Sequence, residues 1–158
     1  GVDKFNQLIN KLIGYRENIG IVLIGGKEDY ESGEYLKKIN NNRCLNLCGK
    51  TSIIESAAVL SKCVLFIGNE SGPMHLAASM GVPCVGIFSA RDNLGKWEPY
   101  GDNHVVLRKD VECAGCFLEE CVEHKNRCLE MISVEQVFEA AIEKLNSIIF
   151  LKGTECIV

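Results

Sequence analysis

The stretch CVLFIGNESGPMHLAASMG, residues 63–81, decides the fold. It begins with a continuous apolar run at residues 63–67, and such runs are typical of strands buried on both faces of a parallel sheet. Ser71 and Pro73 are favoured at the start of a helix, and Gly81 is favoured just after its end. The stretch therefore predicts a buried strand that leads through a short loop into a helix.

The same alternation continues on both sides of this stretch. Further strands are predicted at residues 21–24, 44–47, 83–88 and 104–108, and helices at residues 5–13, 31–39, 53–60 and 134–145. Ser52 with Glu55, and Ser133 with Gln136, have the spacing of capping boxes at two helix starts. Strict alternation predicts an α/β fold, a Rossmann-like parallel sheet with right-handed crossovers and helices on both faces.

Length predicts one domain, because 158 residues lie within the usual range for a single domain. We assign residues 1–150 to this Rossmann-like domain, with a cysteine-rich loop at residues 109–130 inserted before the last helix. Residues 151–158 are assigned to a C-terminal tail. The first residue is Gly1 and not Met, so we expect the chain to be cut from a longer product.

Composition excludes several classes of function. The 17 basic residues against 21 acidic ones give a net charge of −4, which argues against a protein that coats nucleic acid. No apolar run approaches the roughly 18 residues that a transmembrane helix needs. The nine cysteines are an odd number, and no secretory signal opens the chain, so we expect a reducing compartment and a cytoplasmic protein.

Three loops are candidates for ligand binding, because ligands of open α/β sheets bind beyond the carboxyl ends of the strands. They are residues 25–29, 49–52 and 68–75. In the third loop, glycines allow close approach of backbone to a ligand, and the helix start at Ser71 could seat a phosphate or diphosphate. Glu70 suits sugar hydroxyls. The alternative, a capped helix with a solvated Glu70, is equally compatible with the pattern.

Two motifs are excluded. Residues 48–52 resemble the end of a P-loop, but a P-loop needs Gly at position 44, which is Cys44. No dinucleotide-binding fingerprint follows any predicted strand. Trp97, in an aromatic loop at residues 96–101, either belongs to a lid over the site or covers one edge of the core.

The cysteines fall into two groups. Cys44, Cys63 and Cys84 lie in apolar runs, where free Cys acts as a small buried hydrophobe. A second group has the spacing C-x2-C-x4-C-x6-C and consists of Cys113, Cys116, Cys121 and Cys128. This group could hold zinc, form two disulfides or remain as reduced thiols, and zinc is not our preferred interpretation. In each case the loop is structural, because no catalytic Cys-His pair is recognisable.

Several of these segments resemble the C-terminal half of glycosyltransferase family 9, the ADP-heptose:lipopolysaccharide heptosyltransferases and their relatives. The matching segments are residues 49–52, 67–78, 81–83 and 97–101, and the similarity runs from about Lys4 to Leu145. The Ser-Gly-Pro-Met-His-Leu-Ala-Ala run after a strand is its most specific element.

The resemblance implies one half of a GT-B enzyme with two Rossmann-like domains. In such enzymes the C-terminal domain holds the nucleotide-sugar donor, for example ADP-heptose or a similar compound. The reaction is inverting and needs no metal or cofactor. The acceptor, a glycan or lipid-linked sugar, and the catalytic carboxylate belong to the N-terminal domain, so no catalytic or metal-binding residue is assigned here. The implied location is the cytoplasm or the inner face of the membrane, without a transmembrane segment and without nucleic acid.

The resemblance also implies donor-binding residues. The loop at residues 70–75 corresponds to the one against the donor's sugar and diphosphate, and the loop at residues 50–52 to the one near the base. The assigned residues are Gly26, Lys50, Thr51, Ser52, Asn69, Glu70, Ser71, Gly72, Pro73, Met74 and His75.

The chain departs from the family pattern at two places in this region. Family members usually have Asp where this chain has Glu70, and residues 88–92 replace a commoner Phe-Gly-x-Thr run. Because the acceptor domain and its base are absent, we expect no transferase activity from this chain alone. Two alternatives are a non-catalytic binding module organised by a four-cysteine zinc site, and half of a GT-B-like nucleotide-sugar epimerase.

Overall fold

The predicted alternation of strands and helices is present in the computed structural model, which describes residues 1–40, 43–148 and 155–158. The helices are α1 (Val2–Tyr15), α2 (Tyr30–Ile39), α3 (Ile53–Leu60), α4 (Gly72–Ser79), α5 (Arg127–Glu130) and α6 (Val134–Ile148). The strands are β1 (Ile19–Leu23), β2 (Cys44–Asn46), β3 (Phe66–Asn69), β4 (Cys84–Ile87), β5 (Val105–Leu107) and β6 (Glu155–Ile157).

Both predicted capping boxes are confirmed. The backbone N–H of Ser52 donates to Oε2 of Glu55 (2.8 Å), and the N–H of Glu55 donates to Oγ of Ser52 (3.3 Å). At the start of α6, the N–H of Ser133 donates to Oε1 of Gln136 (3.1 Å), and the N–H of Gln136 donates to Oγ of Ser133 (3.2 Å). Each box satisfies two backbone donors that a helix start otherwise leaves without an intrahelical partner.

All described strand pairs are parallel, as predicted. β1 pairs with β2 on one side and with β6 on the other, and β4 pairs with β3 and β5. A bridge between Leu65 and Ile157 joins the two three-stranded groups, which gives the order β2-β1-β6-β3-β4-β5. The carboxyl ends of β1 to β4 therefore lie along one edge of the sheet.

Helices cover both faces of the sheet. One core cluster joins α1, α2 and α6 to the sheet through residues such as Leu12, Leu36 and Leu145, and a second joins α3 and α4 through Leu60 and Met74. No helix among the described residues is long and apolar enough to cross a membrane.

The third strand begins later than predicted. The apolar run suggests residues 63–67, whereas β3 spans Phe66–Asn69 and includes Gly68. The exit from α3 accounts for the shift, because the N–H of Cys63 still donates to the carbonyl of Leu60 (2.8 Å). Pairing with β4 starts only at Phe66, whose N–H donates to the carbonyl of Pro83 (2.9 Å).

The C-terminal segment differs from the predicted tail. Residues 151–154 lie outside the described residues, but Glu155–Ile157 forms a strand, β6, between β1 and β3. Ile157 and Val158 are buried. A three-residue strand is too short for its periodicity to be recognised in a sequence.

Candidate functional site

A cavity of about 770 Å³ opens at the carboxyl edge of the sheet. Its interior is apolar, and its mouth is formed by the loops that follow β1 and β3. The polar or small residues that these two loops contribute to the lining are Gly25, Gly26, Glu28, Asp29, Asn69, Glu70, Ser71 and Pro73. This position agrees with the rule that open α/β sheets bind ligands beyond the carboxyl ends of their strands.

The start of α4 lies at this mouth. The hydroxyl of Ser71 donates to the carbonyl of Asn69 (3.0 Å) and makes no cap bond with the helix. The carbonyl of Ser71 accepts from the N–H groups of Met74 (3.1 Å) and His75 (3.3 Å). Because Pro73 has no N–H, the amide of Gly72 is the donor that this first turn can offer an anion, together with the positive end of the helix dipole.

The carboxylate of Glu70 is held beside this helix start. Its Oε1 accepts a hydrogen bond from the hydroxyl of Ser89 (2.9 Å), and its backbone N–H donates to the carbonyl of Ile87 (3.2 Å). Glu70 is half-buried and lines both the main cavity and a second one of about 230 Å³. Its remaining acceptor sites suit hydroxyl groups of a ligand.

The glycines of the first two loops allow the loops to touch. The N–H of Gly49 donates to the carbonyl of Gly25 (3.0 Å), and a Cβ on Gly49 would lie 2.9 Å from Cα of Lys27. Gly49 also has a φ of +67°, which disfavours other residues. The N–H of Gly26 donates to Oδ2 of Asp29 (2.9 Å), which shapes the loop at the mouth.

The polar side chains at residues 50–52 make contacts within the fold. Nζ of Lys50 donates to the carbonyl of Asn46 (3.2 Å), lies 3.5 Å from Oε1 of Glu34 and is 4.8 Å from the ring centroid of Tyr30. Oγ1 of Thr51 shares a hydrogen bond with Oγ of Ser56 (2.8 Å).

Hydrogen bonds near this second loop lower the pKa values of two glutamates. A hydrogen bond from Asn46, supported by Lys37 and Lys50, holds the pKa of Glu34 below its usual range. The backbone N–H of Ser52 similarly lowers the pKa of Glu55. The polar side chains of this loop are therefore engaged with neighbouring parts of the fold, whereas Asn69, Glu70 and Ser71 at the end of β3 line the cavity.

The eleven predicted donor-binding residues fall into two sets. Those that line the main cavity are Gly26, Asn69, Glu70, Ser71 and Pro73, and those that do not are Lys50, Thr51, Ser52, Gly72, Met74 and His75. Met74 has no exposed surface and packs in the core, so only its backbone is available to a ligand. Ser89, Glu28 and Asp29 join the site without having been assigned, although each follows a predicted strand at the carboxyl edge.

The aromatic loop contacts the start of α4. The rings of Trp97 and His75 meet edge to face with centroids 6.5 Å apart. Trp97 is 57% exposed, so it does not cover an edge of the core, which was one of its two predicted roles. The role of a lid stays a prediction.

A buried carboxylate anchors this loop. Oδ1 of Asp92 accepts from Nζ of Lys96 (2.6 Å), and Oδ2 lies 3.3 Å from Nε of Arg91. The hydrogen bond from Lys96 holds the pKa of Asp92 below its usual range. Arg108, after β5, donates to the carbonyls of Ala90 and Asp92. The loop that carries Trp97 is therefore tied to β5.

The four clustered cysteines all line the second cavity together with His124. Within residues 1–40, 43–148 and 155–158, no three His, Cys, Asp or Glu side chains are arranged to hold a metal ion. Zinc at these cysteines, which was not the preferred interpretation of the sequence, stays untested. The predicted burial of Cys44, Cys63 and Cys84 is confirmed, and burial raises the pKa of Cys44 to about 11 and that of Cys84 to about 12.

The fold and these loops define the class, a doubly wound α/β domain with a ligand crevice at the carboxyl edge of its sheet. Comparison with known proteins gives the family. The model of "Glycosyltransferase family 9 (heptosyltransferase)" matches residues 2–127. The chain therefore belongs to glycosyltransferase family 9, and the resemblance of its motifs is confirmed.

Individual relatives agree with this assignment. The chain is 30% identical over 135 residues to lipooligosaccharide heptosyltransferase 2 of Campylobacter jejuni, covering 82% of this chain and 42% of that protein. It is 29% identical over 150 residues to lipopolysaccharide heptosyltransferase 3 of Escherichia coli, and this match covers 90% of this chain and 41% of that protein. The chain thus spans about two fifths of the length of these relatives.

Solved structures agree with the fold. The family 9 glycosyl transferase from Veillonella parvula superposes with a TM-score of 0.74 at 27% identity, covering 93% of this chain and 42% of that one. The ADP-heptose lps heptosyltransferase II of E. coli superposes with a TM-score of 0.71 at 22% identity, and the superposition covers 94% of this chain and 41% of that one.

Proposed function

We propose that this chain forms the donor-binding half of an inverting GT-B glycosyltransferase of the heptosyltransferase type. The enzyme would transfer a sugar from a nucleotide-sugar donor to a glycan or lipid-linked acceptor in lipopolysaccharide or cell-surface glycan synthesis. The reaction would take place in the cytoplasm or at the inner face of the membrane. The observation that carries the proposal is the carboxylate of Glu70 held by Ser89 beside the start of α4.

Two neighbouring groups would divide the recognition of the donor. The amide of Gly72 and the dipole of α4 would bind the diphosphate, because a helix start favours negative charge. The carboxylate of Glu70 would accept hydrogen bonds from sugar hydroxyls, and its bond from Ser89 would keep it oriented. A net charge of −4 supplies no general positive field, so the local helix start must provide the attraction.

The loops after β1 and β2 would shape the remaining side of the crevice. Gly25 and Gly49 bring the two backbones into contact, and Gly26, Glu28 and Asp29 line the cavity beside them. We assign the base to this side and the sugar to the side of Glu70.

A partner domain would cover this face. Large apolar side chains are exposed in the first turn of α3 and on the loops that follow β4 and β5, and they include Ile53, Ile54, Leu94, Trp97, Tyr100, Phe117 and Val122. Exposed apolar surface of this kind is typical of an interaction face. The proposed occupant is the N-terminal acceptor domain of the same full-length enzyme, which would supply the catalytic base.

Calorimetric titration with ADP-heptose tests the proposal. We expect saturable binding, and we expect Glu70→Ala to weaken it roughly tenfold or more, since hydrogen bonds to charged groups contribute about 1.5–3 kcal/mol. Glu143→Ala, an exposed position on α6, is the matched control and is expected to leave the affinity unchanged. Equal affinities for Glu70→Ala and the unsubstituted chain would overturn this assignment.

A further inference from the structure

The second cavity, of about 230 Å³, adjoins the main cavity at the end of β3. Asn69 and Glu70 line both cavities, so two molecules bound in them would meet at the carboxylate of Glu70. The other walls of the second cavity come from the loop after β4 and from the cysteine-rich loop. The donor proposed above belongs to the main cavity, which leaves the second cavity for a different molecule.

Two arginine side chains from separate segments line the second cavity. Arg91 lies on the loop after β4, and Arg127 begins α5. Nε of Arg91 is 3.3 Å from Oδ2 of Asp92, whereas the guanidinium group of Arg127 has no ion pair or hydrogen bond with the part of the chain that the structure describes. Guanidinium groups present planar sets of N–H donors that match the oxygens of phosphate and carboxylate groups. The cavity is therefore suited to an anionic group.

Two carboxylates line the same cavity. Oε1 of Glu70 accepts from the hydroxyl of Ser89 (2.9 Å), and Glu119 lies on the cysteine-rich loop. No ion pair between described residues joins either carboxylate to Arg91 or Arg127, although all four line one cavity. Carboxylate oxygens accept hydrogen bonds from hydroxyl groups. A cavity with separate guanidinium and carboxylate groups fits a ligand that carries both an anionic group and hydroxyls, and an acidic sugar is such a ligand.

Backbone hydrogen bonds hold the two walls of this cavity together. The N–H of Gly115 donates to the carbonyl of Ala90 (2.8 Å), and the N–H of Phe117 donates to the carbonyl of Arg91 (3.0 Å). The cysteine-rich loop is thus fixed against the loop after β4. The position of Arg91 relative to the opposite loop therefore does not depend on side-chain contacts alone.

The backbone just before Arg127 is strained. Lys125 and Asn126 have φ values of +46° and +56°, a conformation that is uncommon for residues other than glycine. The N–H of Arg127 donates to the carbonyl of His124 (2.9 Å), which closes this turn. Strained residues persist where the surrounding structure holds them, and they are frequent at ligand-binding sites. Here the turn brings both His124 and Arg127 to the wall of the cavity.

We propose that the second cavity binds an acidic sugar. Arg91 and Arg127 bind its anionic group, a phosphate or a carboxylate, and Glu119 accepts a hydrogen bond from one of its hydroxyls. A sugar in this cavity lies beside the donor sugar at Glu70, so it occupies the position of the acceptor. The identification as acceptor rests on the proposed function, whereas the binding of an acidic sugar does not.

Titration of the full chain with glucose 6-phosphate tests the proposal, with the Nε–H groups of the arginines observed by NMR. We expect saturable shifts at Arg91 and Arg127. No shift is expected at Arg43, whose guanidinium group donates to the carbonyls of Glu17 and Ile19. Absence of saturable shifts at Arg91 and Arg127 would overturn the proposal.

Two further probes separate the sugar from its anionic group. Glucose is expected to cause no shift at the arginines, because it lacks the charge that they bind. Inorganic phosphate is expected to bind more weakly than glucose 6-phosphate, because it cannot use Glu119 as a hydroxyl partner. Equal affinities for inorganic phosphate and glucose 6-phosphate would contradict a sugar site.

Substitution of Arg127 tests its direct contact with the anion. Arg127→Gln is expected to raise the Kd for glucose 6-phosphate roughly fivefold or more, because it removes a charge-assisted hydrogen bond. Lys125→Gln is the matched control: it removes the same charge two residues away, and Lys125 does not line the cavity. We expect this control to change the Kd by less than roughly twofold, as for a solvent-exposed charge. Equal effects of the two substitutions would overturn the proposed contact.

Saturating ADP distinguishes the second cavity from the donor site. We expect the Kd for glucose 6-phosphate and the shift at Arg127 to stay unchanged, because ADP belongs to the main cavity. Loss of glucose 6-phosphate binding in the presence of ADP would assign the phosphate to the donor site and overturn the proposal. If the chain does not bind ADP-heptose but the arginine shifts persist, the proposed function fails while the acidic-sugar site stands.

Discussion

Ser89 and Glu70 join two neighbouring loops through one hydrogen bond, from the hydroxyl of Ser89 to Oε1 of Glu70 at 2.9 Å. The loops follow β4 and β3, which pair with each other up to Asn69 and Ile87. The bond therefore fixes the orientation of the carboxylate relative to the carboxyl edge of the sheet.

Loss of this bond is expected to weaken donor binding. Ser89→Ala frees the carboxylate of Glu70, and a net hydrogen-bond contribution of about 1 kcal/mol corresponds to roughly a fivefold increase in Kd for ADP-heptose. Calorimetry measures the effect. Ser79→Ala is the control, because that hydroxyl bonds only the carbonyl of Leu76 in the last turn of α4. An equal loss in both variants would show that the bond has no specific role.

Gly49 is expected to tolerate no side chain. Gly49→Ala would place a Cβ 2.9 Å from Cα of Lys27 at a φ of +67°, so we expect a loss of about 1–3 kcal/mol in the free energy of unfolding. Gly14→Ala is the matched control. Nothing lies within 4 Å of its added Cβ, and a gain of roughly 0.5–1 kcal/mol is expected within α1. Urea denaturation that ranks the two variants in the opposite order would contradict the loop contact.

The main effect of Ser52 is expected to be on the stability of the fold and not on ligand binding. Ser52→Ala removes the cap of α3 and should cost about 1 kcal/mol in the free energy of unfolding. Ser52→Thr retains a capping hydroxyl and is expected to restore most of the stability. Thermal unfolding of the three chains provides the measurement. If Ser52→Ala weakens ADP-heptose binding strongly at unchanged Tm, the hydroxyl contacts the donor directly and the structural assignment is wrong.

Asp92 is expected to make stability depend on pH. Its folded pKa lies below the unfolded value because Lys96 donates to it. The ionised form thus stabilises the fold above the unfolded pKa of about 3.9, and this stabilisation is lost as pH falls through the folded pKa. Asp92→Asn is therefore expected to lower Tm at neutral pH, with the difference from the unsubstituted chain shrinking in acid. A difference in Tm that stays constant down to pH values below about 3 would contradict this role.

The fold was largely predictable because its strands are continuous apolar runs and two of its helices begin with capping boxes. β6 was not predictable, because its three residues acquire their role only by pairing with β1 and β3. The local sequence pattern could also not predict that the side chains of Ile53 and Ile54 are 77% and 82% exposed to solvent. Their exposure depends on which turn of α3 meets the core.

The candidate site was predictable to the level of its loops. Glycines and a helix start after β3 identified the mouth of the cavity, including Glu70 and Ser71. The contacts of Lys50 with Glu34 and Tyr30 were not predictable, because they join residues on separate elements. Ser89 could have been assigned from its position directly after the strand predicted at residues 83–88, since every loop at the carboxyl edge is a candidate.

The most direct test of the central claim is a residue-by-residue map of donor binding by amide NMR. ADP-heptose is titrated into the chain. We expect saturable shifts at the amides of Glu70, Ser71 and Gly72, with smaller ones at Ser89 and no shifts along α6. Absence of saturable shifts, or shifts confined to residues away from the carboxyl edge of the sheet, would contradict donor binding at this edge.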